Sequence, residues 1–102
     1  MIEHMNYEYN EDTLCYRNKL DNVRLEYHGN YRRLVKEQFC MLNDIEDFDD
    51  ISVSFLRKSN YDDGELDFQI RTYLVRWNDW VYIARVHISN YCEQVTMYIW
   101  EL

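Results

Sequence analysis

Between Ile51 and Trp100 apolar and polar residues alternate along short runs, and the alternation breaks at turn-forming pairs. A period of two with such breaks restricts this half of the chain to antiparallel hairpins. In ISVSFLRK, Ile51, Val53 and Phe55 alternate with serines; in LDFQIRTYL, Leu66, Phe68, Ile70 and Leu74 alternate with polar positions. Asp63-Gly64 lies between the runs as a two-residue turn, which sets Phe55 opposite Thr72 and Val53 opposite Leu74. The string WNDW signals a second hairpin, with Asn78-Asp79 as its turn, Trp77 opposite Trp80, Val75 opposite Tyr82 and Leu74 opposite Ile83. A last strand, from about Val95 to Trp100, returns through a loop near Asn90 to Glu93. The simplest topology is a four-stranded antiparallel meander.

One helix precedes the sheet. Tyr31, Leu34, Val35, Phe39, Leu42 and Ile45 fall on one helical face, with Arg32, Arg33, Lys36 and Glu37 opposite. Asn30 is placed to cap this helix, predicted over Tyr31 to Leu42 within a block at 30–45. Arg33 and Glu37 form an i,i+4 pair on its exposed side. The segment 1–29 is ambiguous: Val23, Leu25 and Tyr27 alternate as in a strand, while Leu20, Val23 and Tyr27 also suit a helix. We read it as a strand or hairpin ending at Tyr27, with an extra helix as the alternative.

The 102 residues contain no proline and two glycines, so no linker divides the chain. The expected fold class is therefore a single α+β domain over 1–102, with one main amphipathic helix packed on the sheet of 51–102. In the hairpin registers above, one sheet face carries Ile51, Val53, Phe55, Leu66, Phe68, Ile70, Leu74, Val81 and Ile83. The other carries Tyr73, Val75, Trp77, Trp80, Tyr82, Ala84, Val86 and Ile88, with Ser54 and Arg71 among them. A single helix covers the first face only. Residues 1–29, a second copy or a partner protein must cover part of the second, and Tyr73, Trp77, Trp80 and Tyr82 become candidate contact residues there.

Nineteen acids against eleven bases give a net charge of −8. The stretch Asp44 to Asp67 holds Asp44, Glu46, Asp47, Asp49, Asp50, Asp62, Asp63, Glu65 and Asp67 against Arg57 and Lys58, so it carries most of that excess. The first cluster follows the predicted helix, where the macrodipole favours cations rather than acids. Long-range repulsion disfavours direct contact with nucleic acid or with an anionic membrane, and favours a partner with a basic surface. An acidic face that serves only solvation is the competing explanation.

No motif assigns a chemistry. His4, His28 and His87 stand in no metal-binding spacing, and NYDDGE lacks the alternating ligands of a calcium loop, so no metal or cofactor is expected. There is no glycine-rich phosphate loop and no GxSxG elbow. Three cysteines, Cys15, Cys40 and Cys92, form no CxxC pair and read as free thiols of a reducing compartment, cytoplasmic or, for a viral protein, host cytoplasm. A pairing of Cys15 with His28 stays open. His87, between Val86 and Ile88, reads as a packed or half-exposed sheet histidine. No stretch reaches the roughly 18 to 20 apolar residues of a membrane span, and Met1 to Asn10 lacks the pattern of a signal peptide.

These features lead to a non-enzymatic protein-binding module that inhibits or neutralises a basic, nucleic-acid-binding partner such as a nuclease. Small acidic phage inhibitors, nucleic-acid mimics and anti-CRISPR proteins among them, are analogies at the level of class, as are immunity proteins that cap a toxin nuclease. The acidic residues named above are the candidate contacts. The alternative is a structural or assembly subunit that forms a homodimer or docks through its aromatic sheet face.

Overall fold

The computed structural model describes residues 16–20, 27–91 and 95–102. Five antiparallel strands are present among them: β1 (Tyr16–Leu20), β2 (Ile51–Asp62), β3 (Asp67–Trp77), β4 (Trp80–Ser89) and β5 (Val95–Glu101), in the spatial order β1-β5-β4-β3-β2. Strands β2 to β5 form the expected meander. Strand β1 adds to the far side of β5, with Tyr16 opposite Ile99 and Leu20 opposite Val95. Together with helix α1 (Tyr31–Leu42), which precedes β2, the sheet makes an α+β domain. No helix among the described residues is long and apolar enough to cross a membrane.

The described N-terminal strand covers Tyr16–Leu20, and Tyr27, where the strand or hairpin was expected to end, belongs to no strand. Val23 and Leu25 lie outside the described residues.

Helix α1 begins where its cap requires. The Asn30 side chain accepts a hydrogen bond from the Arg33 amide at 3.1 Å, satisfying one of the donors that the first turn leaves open. Arg33 pairs with Glu37 at 3.7 Å on the exposed side. Tyr31, Leu34, Val35, Phe39 and Cys40 are buried. Full burial of a Leu, Val or Phe side chain contributes about 1.5 to 3 kcal/mol. Leu42, assigned to the buried face by its spacing, is instead exposed, and the core contact passes to Cys40 and to the partly buried Ile45.

The two hairpins differ in how their turns behave. At Asn78-Asp79 the pairs Trp77–Trp80, Val75–Tyr82 and Leu74–Ile83 form as the sequence predicts, with Asn78 in the left-handed region at φ 54°. Asp63-Gly64 is not a two-residue turn. Asp62 pairs with Asp67, leaving a four-residue loop from Asp63 to Leu66, and a bulge between Phe55 and Arg57 shifts the register again. Phe55 therefore faces Tyr73, and Val53 faces Val75. The cause is chemical: the Asp63 carboxylate collects the amides of Glu65 and Leu66 at 2.9 and 2.6 Å, which holds the loop open.

A register change of one residue exchanges the faces of a strand. Ile51 and Val53 accordingly share a face with Tyr73, Val75, Ala84, Val86 and Ile88, and α1 packs on that face. Ile70, Ile83, Tyr98 and Trp100 lie on the opposite face with Leu74 beside them. This corrects the face assignment made from sequence: the helix covers the aromatic face, not the one carrying Phe68, Ile70 and Ile83. The opposite face is buried as well, since Ile70, Thr72, Ile83, Arg85, His87, Tyr98 and Trp100 are all at most 8% exposed. The expectation that residues 1–29 fold over one sheet face falls largely outside the described residues.

Candidate functional site

Charge is delivered to the two ends of β2. At one end, the connection from α1 carries Asp44, Glu46, Asp47, Asp49 and Asp50, all exposed. The helix stops there by neutral means: Asn43 donates from its backbone and side-chain amides to the Phe39 carbonyl at 3.2 and 3.0 Å, and Ile45 donates to Cys40 at 2.9 Å. Its last turn contains no basic residue. Asp44 then takes a left-handed backbone with φ 53°, a conformation that aspartate tolerates better than most residues. Asp47 caps the short 3-10 turn Phe48–Asp50 by accepting from the Asp49 amide at 2.9 Å. Asp44, Glu46, Asp49 and Asp50 form no ion pair with a base among the described residues.

At the other end, the acids are parts of the loop itself. Asp62 accepts from the Gly64 amide at 2.9 Å, where Gly64 has the positive φ of 91° that favours glycine. Asp63 accepts from the Glu65 and Leu66 amides and from the Tyr61 hydroxyl, the last at 3.2 Å. The hydrogen bonds from Leu66 and Glu65 hold the Asp63 carboxyl below the ordinary aspartate range, and the Asp63 charge in turn pushes the Tyr61 phenol up. Asp67 accepts from the Asn90 side-chain amide at 2.6 Å and ties this loop to the end of β4. Of the four acids, Glu65 alone has no side-chain contact among those described.

The two ends are not brought together. Strand β2, twelve residues long with Asp62 as its last, separates them by roughly 35 Å at the usual rise for a twisted strand. Arg57 and Lys58, both exposed, interrupt the negative charge midway. Among the described residues no three His, Cys, Asp or Glu side chains converge, so the acids are spread along their loops.

The aromatic candidates occupy a different place from the one expected. Tyr73 is buried in the core between α1 and the sheet, where desolvation raises its pKa. Trp77 and Tyr82 pack edge-on against Phe39, with ring centroids at 6.0 and 4.8 Å. Trp80 is about half exposed at the end of its strand, at 52%. The set is thus mainly core, and it does not form an open sheet face.

The described cysteine and the sheet histidine are both packed groups. Burial pushes the Cys40 thiol up, Lys36 opposes that shift and Asp47 reinforces it, so the thiolate that a nucleophile needs is disfavoured. His87 is buried, stacked on Phe68 and tilted against Tyr98 with centroids at 5.2 and 4.7 Å, as a packed sheet histidine. His4, Cys15 and Cys92 lie outside the described residues.

One feature of the first acidic end escaped the sequence reading. Met41, Leu42 and Phe48 are all substantially exposed around it, and Cys40, Met41, Asp44, Ile45, Glu46 and Phe48 line a cleft of about 440 Å³. The available signal was Phe48 itself, a lone aromatic inside DIEDFDD that no periodicity required. Comparison with protein-family models, with curated proteins and with solved structures finds no match to this chain.

Proposed function

We propose that this domain is a non-enzymatic protein-binding module that neutralises a partner with a basic, nucleic-acid-binding surface, and that the α1–β2 connection makes the contact. The observation that carries this reading is the set Asp44, Glu46, Asp49 and Asp50, exposed and without a described cationic partner, with Asp44 directly after the helix C-cap at the negative end of its dipole. Internal stability does not call for acids there, whereas a cationic surface would be drawn to them and held in register. Inhibition of a nuclease or of another nucleic-acid-binding protein belongs to this proposal, as does the comparison with phage anti-defence and immunity proteins. The gap of roughly 35 Å between the acidic ends, interrupted by Arg57 and Lys58, favours contact at one end over imitation of a continuous phosphate backbone.

The test is affinity capture from the native host at low and high salt, with the wild-type chain and with a variant carrying Asp44→Asn, Glu46→Gln, Asp49→Asn and Asp50→Asn. Basic nucleic-acid-binding proteins should be retained by the wild type at low salt and lost in the other arms. A partner held equally by the variant and at high salt would exclude the electrostatic reading. Assembly through the aromatic sheet face is the weaker reading, because Tyr73 is inside the core and Trp77 and Tyr82 pack on Phe39.

A further inference from the structure

The cleft at the end of α1 combines two properties that a solvating acidic face does not need. Its floor is apolar and open: Met41 is 69% exposed and Phe48 47%, with Ile45 between them. Its rim is acidic, with Asp44 and Glu46 lining it and Asp47, Asp49 and Asp50 on the same connection. Exposed methionine and phenylalanine in one depression give an adaptable contact surface, and an apolar centre inside a charged rim is the usual anatomy of a protein interface. The carbonyl end of α1, without a base in its last turn, adds negative potential to that rim.

We infer that this cleft receives an amphipathic partner segment, one that gathers large apolar side chains on one face and flanks that face with lysine or arginine. The inference rests on the acidic-module reading above and gives it a docking point. Charge selects this occupant over a second copy of the chain. Two copies meeting here would bring two acidic rims together on molecules of net charge −8, which opposes association. A cationic segment meets the rim favourably, and its apolar face covers Met41 and Phe48. Affinity would then come from the floor, and encounter rate and salt dependence from the rim.

Two labelled peptides of identical composition test this, one an amphipathic leucine–lysine helix and the other its shuffled sequence without an apolar face, titrated by fluorescence anisotropy. The wild-type chain should bind the amphipathic peptide at least tenfold more tightly than the shuffled one. Met41→Ser combined with Phe48→Ser, both at exposed positions and checked for unchanged circular dichroism, should abolish that preference and leave the weak, salt-sensitive binding of the shuffled peptide intact. Equal binding of both peptides by the wild type, or a preference that survives in the double variant, overturns the cleft while the acidic-module reading stands. Binding of neither peptide overturns both. A wild-type dimer in sedimentation that Met41→Ser dissociates overturns the choice of occupant.

Discussion

The two ends of β2 carry nearly the same number of acids and use them in opposite ways. In the β2–β3 loop the carboxylates of Asp62, Asp63 and Asp67 accept hydrogen bonds from Gly64, Glu65, Leu66, Tyr61 and Asn90, so their charge is part of the loop's construction. In the α1–β2 connection only Asp47 accepts a described hydrogen bond; its acidic neighbours accept none that is described, and Asp44 directly follows a helix end whose dipole opposes it. Acid content alone therefore says little about role. The useful distinction is whether a carboxylate already has donors within its own chain.

Four measurements bear on this contrast. Both ends are positioned by the register of β2 on β3, and that register is what buries Tyr73. Tyr73→Ala should therefore cost on the order of 3 kcal/mol in urea unfolding, as for other large-to-small core changes. A near-neutral result would place Tyr73 at the surface and undo the register. Next, the fourfold neutralisation at Asp44, Glu46, Asp49 and Asp50 should weaken binding of a lysine-rich peptide at least tenfold, whereas Glu65→Gln should leave it nearly unchanged; equal losses per charge removed would erase the distinction between the ends.

Acid titration is a third probe, of the β2–β3 loop. Because its hydrogen bonds depress the folded-state pKa of Asp63, the stability it contributes is fully present above the ordinary value near 3.8 and is lost as the pH falls through the depressed value. Asp63→Ala should lower the urea midpoint at neutral pH and flatten its decline below that value; a midpoint and acid decline unchanged by Asp63→Ala would show that the hydrogen bonds of its carboxylate do not hold the loop. The smallest effect expected is a gain. Asp44→Asn removes a negative charge beside the helix C-terminus, keeps a side chain that tolerates the left-handed backbone, and should stabilise the fold by about 0.3 to 1 kcal/mol, an increment that salt reduces. Destabilisation by Asp44→Asn would show that the acid has a structural duty at that position.

Much of this architecture was legible in the chain, and the reasons differ by element. Asn30 and the spacing from Tyr31 to Phe39 located α1, because a cap and a period of 3.6 are local properties. WNDW set the second hairpin because Trp77 and Trp80 leave room for two residues and no more. The first hairpin misled because Asp63-Gly64 looks like a tight turn, whereas Asp63 spends its side chain on two amides beyond Gly64. That slip of two residues alone would have kept the faces; the bulge near Leu56 adds the odd step that exchanged them, which made Tyr73, Trp77 and Tyr82 look like surface. The acids at the α1–β2 connection were readable as a cluster. The exposed floor beside them was not, because whether Met41 and Leu42 face inward depends on where the helix crosses the sheet.

The bulge near Leu56 also bears on how this chain behaves at high concentration. Strand β2 has β3 as its only described neighbour, and Phe55 and Leu56 are each about half exposed there, at 53% and 50%. A flat edge with such side chains would template the addition of further strands and the growth of fibres. The irregular step interrupts the even spacing of donors and acceptors that an incoming strand must match, Arg57 and Lys58 follow it with charge, and the Arg32 guanidinium donates to the Val53 carbonyl at 2.7 Å. The longest of the described strands thus carries at its edge an irregular step, two cations and a satisfied carbonyl, which are features that oppose edge-to-edge pairing, and one of them is the same irregularity that hid the register from the sequence.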